Sequence, residues 1–263
     1  MINKAKNYSD DLVSVILAVN ICTSKFNKTI KSILNQTHRN IELIIIFNGP
    51  NINNLKSKID KNFLLDKRLK VKYSNIRFLN FSLSLGINYS KGNYVARIDD
   101  GDIAKENRIE MQLQYFKKNI KLGVVGSCFE IINDDDKIIN KINLPLTNLH
   151  IRKKLFYTNP ICHPSVMIKK NLIKLYGGYL GGLFAEDYDL WLNILYFSDY
   201  EFCNIEESLL FYRENGNEAR GSKEAYISVC TAQMRMFLRT VDIRWLIGFF
   251  ITVFKLSFRR YVN

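Results

Sequence analysis

Leu12-Val13-Ser14-Val15-Ile16-Leu17-Ala18-Val19 and Ile41-Glu42-Leu43-Ile44-Ile45-Ile46-Phe47 are two nearly unbroken apolar runs. A strand covered on only one face alternates apolar and polar residues, whereas one covered on both faces reads as a continuous run. Between them, Phe26, Ile30, Ile33 and Leu34 recur at helical spacing. Strand, helix and strand in this order form a βαβ unit, which predicts a parallel sheet with a right-handed crossover.

The alternation continues outward from that unit. Lys70 to Tyr73 reads as a third strand, and Leu79, Leu83 and Ile87 as a helical stripe with Gly92 as its stop. Tyr94 to Ile98 is a fourth strand, and Ile109, Leu113 and Phe116 mark another helix. Strands follow at Gly126 to Ile132 and Ile138 to Ile142, around the acidic turn Asp134-Asp135-Asp136, and a shorter one at Ser165 to Ile168. Gly177-Gly178 and Gly181-Gly182 bracket a loop, after which a helix starts near Glu186 with Leu190, Trp191, Ile194 and Leu195 inward. There are no repeats and no low-complexity linkers. The expected architecture is one α/β domain over residues 1–240, with a nucleotide half at 11–122, an acceptor half at 123–240 and a separate tail at 241–263.

Bulk properties narrow the function. The chain has 263 residues, 47% apolar and 24% charged, enough for a full core without disulfides or structural metals. Its five cysteines include no CxxC pair, so a zinc site or disulfide framework is not expected and a reducing compartment is. The first ten residues are polar and lack the apolar core of a secretory signal, and no apolar run reaches the ~20 residues that span a bilayer. The formal net charge of +13 implies an anionic partner: nucleic acid, an anionic membrane or a phosphorylated substrate. The basic residues are dispersed without a recognition motif, which ranks nucleic acid last.

In open parallel sheets ligands bind beyond the carboxyl ends of the strands. At the end of the fourth strand stand Asp99-Asp100-Gly101-Asp102. Three carboxylates in four residues suit Mg²⁺ or Mn²⁺ held jointly with a diphosphate; the plain alternative is a solvated turn. A second acidic site, Glu186-Asp187, opens the helix after the glycine-rich loop. It serves either the helix dipole or removal of a proton from a sugar hydroxyl.

Several blocks, in order from Val13 to Arg213, resemble the family-2 glycosyltransferases of bacterial polysaccharide assembly. They are Val13-Ser14-Val15-Ile16, Ser32-Ile33-Leu34-Asn35-Gln36-Thr37, Lys91 to Asp99 with Arg108 and Gln112, His163-Pro164-Ser165-Val166-Met167, Gly177-Gly178-Tyr179, Ala185 to Trp191, and Leu209-Leu210-Phe211-Tyr212-Arg213. The resemblance implies a GT-A fold, a Rossmann-like αβα sandwich with a mainly parallel sheet. It also implies an inverting mechanism and a UDP-sugar donor. Asp187 would be the catalytic base, with Glu186 orienting the acceptor. Ala18 to Asn20 and Asn48 would hold the uridine, Asp99 and Asp100 the nucleotide, and Asp100 and Asp102 the metal. His163 would touch a phosphate or be a structural histidine; Arg213 would neutralise the diphosphate or be a surface arginine. Arg97 has no assigned role.

The chain departs from the family pattern at Asn20-Ile21, at Phe47-Asn48-Gly49-Pro50 and at Gly101, which stands where the family's usual metal ligand does. These departures motivate an alternative, a non-catalytic relative that binds nucleotide sugar or glycan. The expected acceptor is a saccharide on undecaprenyl diphosphate, in O-antigen or capsule synthesis. Trp245 to Phe254, flanked by Arg244, Lys255, Arg259 and Arg260, suits an interfacial helix, so the chain is expected at the cytoplasmic face of the inner membrane. The same helix could instead pack into the core or join two copies in a homodimer.

Overall fold

The computed structural model describes residues 10–49, 55–179, 181, 183–214 and 222–258. Pro50, Gly182, Arg259 and Arg260 lie outside the described residues. Strands β1 (Val13–Val19), β2 (Ile41–Asn48), β3 (Leu69–Ser74) and β4 (Tyr94–Arg97) form the parallel half of a nine-stranded sheet. The order β3-β2-β1-β4-β8-β6-β9-β5 adds β8 (Met167–Lys169), β6 (Leu122–Ile132), β9 (Glu201–Arg213) and the short β5 (Ile103–Ala104). β7 (Ile138–Ile142) pairs with β6 off this path. β8 is antiparallel to both β4 and β6, so the second half is mixed.

The helices include α1 (Phe26–Leu34), α2 (Lys61–Leu64), α3 (Leu79–Tyr89), α4 (Arg108–Lys118), α5 (Asn148–Leu155), α6 (Lys170–Leu175), α7 (Glu186–Phe197), α8 (Lys223–Thr240) and α9 (Ile243–Phe258). The apolar runs of β1 and β2 are explained by two cores. Val13, Val15, Leu17 and Val19 face one core together with α1 and α4. Ile16 faces the other, with Leu83 and Ile87 of α3 and the inward residues of α7. Burial on both faces is what a three-layer αβα arrangement requires.

Several elements differ from expectation. Residues 163–165 form a 3₁₀ turn, and the strand there begins only at Met167. β9 is much longer than Leu209 to Arg213, because it pairs with β6 from Glu201 to Arg213. Gly92 does not stop α3, which is capped at Ser90. Gly92 instead lies against β1, where a Cβ would collide with the Leu12 carbonyl oxygen, and its N–H donates to Ser14 Oγ at 2.9 Å.

The tail is docked rather than separate. Trp245, Gly248 and Thr252 of α9 are buried. Trp245 packs on Phe156 with ring centroids 4.4 Å apart, and Thr252 Oγ1 donates to Gln233 Oε1 at 3.0 Å. A Cβ at Gly248 would strike the Phe156 carbonyl oxygen, so this glycine sets how closely α9 approaches. Among the described residues no helix is long and apolar enough to cross a membrane.

Candidate active site

The carboxyl ends of β1, β2 and β4 meet at one edge, since Val19 is in register with Phe47 and Ile16 with Arg97. Ala18 is half-buried and Asn20 exposed at the end of β1. Asn48 is buried at the end of β2; its Nδ2 donates to Ser82 Oγ at 2.6 Å, and its Oδ1 has no partner among the described residues. A buried acceptor left open is costly unless a ligand donor meets it.

Beyond β4 the chain turns at Gly101, whose φ of +99° is a conformation that L side chains rarely adopt. The turn separates the acids. The Asp99 side chain is 39% exposed, and its Oδ1 accepts from Arg97 Nη2 at 2.6 Å. Asp100 accepts from the Thr23 N–H at 2.7 Å and from Thr23 Oγ1 at 3.0 Å, so the loop after β1 is tied to the acidic tip. Burial is the main reason the Asp100 carboxyl is raised.

Asp102 points inward. It is 2% exposed, and its Oδ1 accepts from the Arg213 N–H at 2.9 Å. Burial, and next the Asp99 charge, push its carboxyl well above the usual range. This differs from its expected role as a metal ligand, because Oδ1 anchors β9 beneath the surface and the 2% exposed carboxylate is turned away from solvent.

Arg213 is corrected for the same reason. Its Nε donates to the Gly101 carbonyl at 3.0 Å, and its terminal nitrogens bond the Asn133 carbonyl and Asp136. The guanidinium is buried and fully engaged, so it clamps the β6–β7 turn and leaves nothing for a phosphate. The acidic turn of the sequence thus has a use: Asp136 is held down at about 2 by hydrogen bonds from Lys28 and Arg213.

The second acidic pair opens α7. Asp187, with its side chain 18% exposed, accepts from Asn159 Nδ2 at 2.7 Å through Oδ2 and from the Tyr188 N–H at 2.8 Å through Oδ1. Glu186 is buried beside it. Burial, and next the Asp187 charge, push Glu186 up to about 7. Burial also raises Asp187, against hydrogen bonds and the Arg97 charge that lower it.

Arg97 and His163 join the two acidic sites. Arg97 Nη1 bonds His163 Nδ1, which lies 3.9 Å from Asp187 Oδ2, and His163 Nε2 bonds the Tyr179 hydroxyl at 2.8 Å. Arginine only donates, so His163 Nδ1 accepts and Nε2 carries the proton. Burial, and next the Arg97 charge, hold His163 well below its usual range, in keeping with a neutral ring. With both nitrogens occupied and the ring buried, His163 spaces Arg97 from Tyr179 and does not offer a phosphate contact. Arg108 Nη2 donates to the Arg97 carbonyl at 2.8 Å, and Gln112 Nε2 to the Ser165 carbonyl at 2.8 Å, so α4 fixes both ends of the bridge.

Among the described residues no three His, Cys, Asp or Glu side chains gather as a metal cage. Asp99 and Asp100 fit a hard cation only if phosphate oxygens complete its shell, as is usual for Mg²⁺.

Residues 14–175 match the family model described as glycosyl transferase family 2, which covers more than half of the chain. The chain belongs to glycosyl transferase family 2. This family-2 glycosyltransferase is 35% identical over 230 residues to the O-antigen biosynthesis glycosyltransferase WbnJ of Escherichia coli, covering 87% of the chain and 90% of that relative. It is 31% identical over 278 residues to the E. coli UDP-Gal:alpha-D-GlcNAc-diphosphoundecaprenol beta-1,3-galactosyltransferase, covering 97% of the chain and 96% of that relative. The crystal structure of S. aureus TarS 1-349 in complex with UDP-GlcNAc superposes with a TM-score of 0.66 at 11% identity, over 86% of the chain and 66% of that structure. The family-2 enzyme therefore has the GT-A fold.

Arg97, Asn159 and Thr23 are the site residues that sequence reasoning missed. For Arg97 a signal existed: it stands two residues before Asp99 at a strand exit, and residues two apart on a strand share a face.

Proposed function

We propose that this enzyme transfers a sugar, with inversion, from a UDP-sugar to a saccharide carried on a lipid diphosphate such as undecaprenyl diphosphate. The observation that carries the reading is the Asp99–Arg97–His163–Asp187 chain, in which a donor-side carboxylate and a proton acceptor flank one buried cation. The relative that acts on diphosphoundecaprenol-linked GlcNAc aligns over nearly the whole chain, which supports the donor and acceptor classes.

In this reading Asp187 takes the proton of an acceptor hydroxyl. The hydroxyl oxygen bonds the anomeric carbon as the bond to UDP breaks, and UDP leaves with the electron pair. Glu186 orients the acceptor, and its carboxyl near neutrality lets it share a proton with Asp187. Ala18 and Asn20 border the base, and Asn48 Oδ1 accepts the uracil N3–H, the donor its buried oxygen lacks. Asp99 and Asp100 would hold Mn²⁺ or Mg²⁺ with the diphosphate; when bound, the ion neutralises charge on the leaving phosphate. Gly101 is compatible with activity, because the acids on either side of its turn already divide the work: Asp99 is exposed and Asp102 is buried.

The exposed stripe Ile243, Ile247, Phe250, Phe254 and Phe258 on α9, with Arg244 and Lys255 beside it, supports docking on an anionic membrane surface. The test of the activity is a screen of UDP-sugars with Mn²⁺ and a diphospholipid-linked saccharide, read by mass spectrometry. A glycosylated lipid product is expected. Tight UDP-sugar binding without transfer to any such acceptor overturns the reading.

A further inference from the structure

Helices α8 and α9 form a hairpin that reverses at Val241, whose backbone is left-handed with φ +55°. Between them runs a groove of about 690 Å³, lined on α8 by Ile227, Met234 and Leu238 and on α9 by Phe249, Val253 and Leu256. That volume lies in the range of small-molecule sites, roughly 300–1,000 Å³. The charged residues that line it are Arg235 and Arg239, both toward the end of α8.

The groove is built onto the helix that opens with Glu186 and Asp187. Arg235 forms an ion pair with Asp189, in the first turn of α7. The Arg239 guanidinium lies 5.3 Å from the ring centroid of Phe197, the last residue of α7. Ser228 Oγ donates to the Leu183 carbonyl at 2.9 Å, on the loop that leads into Glu186. Two cations thus stand close together, and Asp189 pairs with Arg235. Burial, and next the Arg239 charge, lower the pKa of Arg235.

An apolar trough with its charge at one end matches an amphiphile with one anionic head. The same helix α9 carries both the apolar groove wall and the exposed apolar stripe, so a chain leaving the trough would stay beside apolar side chains. We infer that this groove holds the hydrocarbon chain of a lipid diphosphate, with Arg235 and Arg239 at the anionic head. The inference rests on the acceptor class proposed above. It adds a binding site on α8 and α9, outside the sheet edge that carries Asp99 and the start of α7 that carries Asp187.

The test titrates the full chain with geranyl, farnesyl and geranylgeranyl diphosphate below their aggregation concentrations, and with inorganic diphosphate. Affinity should rise with chain length, by tenfold or more from geranyl to geranylgeranyl. Val253→Trp, which fills the groove, and Leu238→Asn, which removes apolar wall without adding a charge beside Arg235 and Arg239, should each cut that gain while leaving inorganic diphosphate binding unchanged. Hydrolysis of a UDP-sugar without acceptor should persist in both variants, which separates this site from the donor site. Equal affinity for all chain lengths, or a chain-length gain that survives both variants, overturns the inference. So does a groove variant that only dissociates a dimer, since a second copy would then be the occupant. A wild type that binds the prenyl diphosphates as expected but transfers no sugar leaves the groove standing and removes the activity proposed above.

Discussion

Asp187 Oδ2 lies 3.9 Å from Nδ1 of His163, the same nitrogen that Arg97 engages. The acid at the start of α7 therefore faces a neutral ring backed by a guanidinium, and that guanidinium also holds Asp99. A single buried cation serves both acidic sites.

Asp187→Asn keeps the Asn159 contact approximately isosteric and removes the proton acceptor. Turnover should fall by roughly 10²–10⁴-fold, the usual worth of a general base. UDP affinity measured by calorimetry should stay within a few-fold of wild type. Unchanged turnover would assign the base elsewhere.

The pH profile follows from the raised carboxyls. A base works when deprotonated, so kcat/KM should rise with pH through an apparent value above an ordinary aspartate's. The steps belong to the Glu186–Asp187 pair rather than to either residue. Glu186→Gln removes a like charge next to Asp187, so the acid limb should move to lower pH. A limb that stays in place would separate Glu186 from the titration.

The same glutamate should weaken the fold at neutral pH. Its folded value of about 7 exceeds the ordinary 4.5, so between these values the native state binds more protons than the unfolded state. Stability then falls as pH rises across that window. Glu186→Gln should raise stability at pH 8 by about 1–3 kcal/mol, seen as a higher melting temperature, and have little effect near pH 4. Calorimetric melts at both pH values check the sign.

Arg97→Lys cannot reach Asp99 and His163 together, because an ammonium lacks the planar fork. The Arg97 charge lowers Asp187 and Glu186, so its displacement should shift the acid limb of the pH profile upward. A loss of kcat with no movement of that limb would make Arg97 merely structural.

Arg213→Met should lower stability by about 2–4 kcal/mol, through loss of hydrogen bonds to a buried charge. Because the guanidinium clamps the β6–β7 turn, KM for the UDP-sugar should change less than threefold in the folded variant. A selective rise in that KM would restore Arg213 to the diphosphate site.

The sequence alone determined the layer order, because continuous apolar runs mean strands buried on both faces, and Val13 to Val19 and Ile41 to Phe47 carry that pattern. It also singled out Asp99 and the Glu186–Asp187 pair as candidates, since strand ends and helix starts can be read from local periodicity. Only the tertiary structure decided what each acid meets. Asp102 and Arg213 are 111 residues apart and bond because β9 returns beside β5. Arg97 reaches His163 across 66 residues of chain. Short-range patterning records which face a residue occupies, whereas its hydrogen-bond partner is set by strands paired from distant parts of the chain. That is why Asp102 and Arg213 meet partners that local patterning did not suggest, the structural alternative fits His163, and Arg97 came into view.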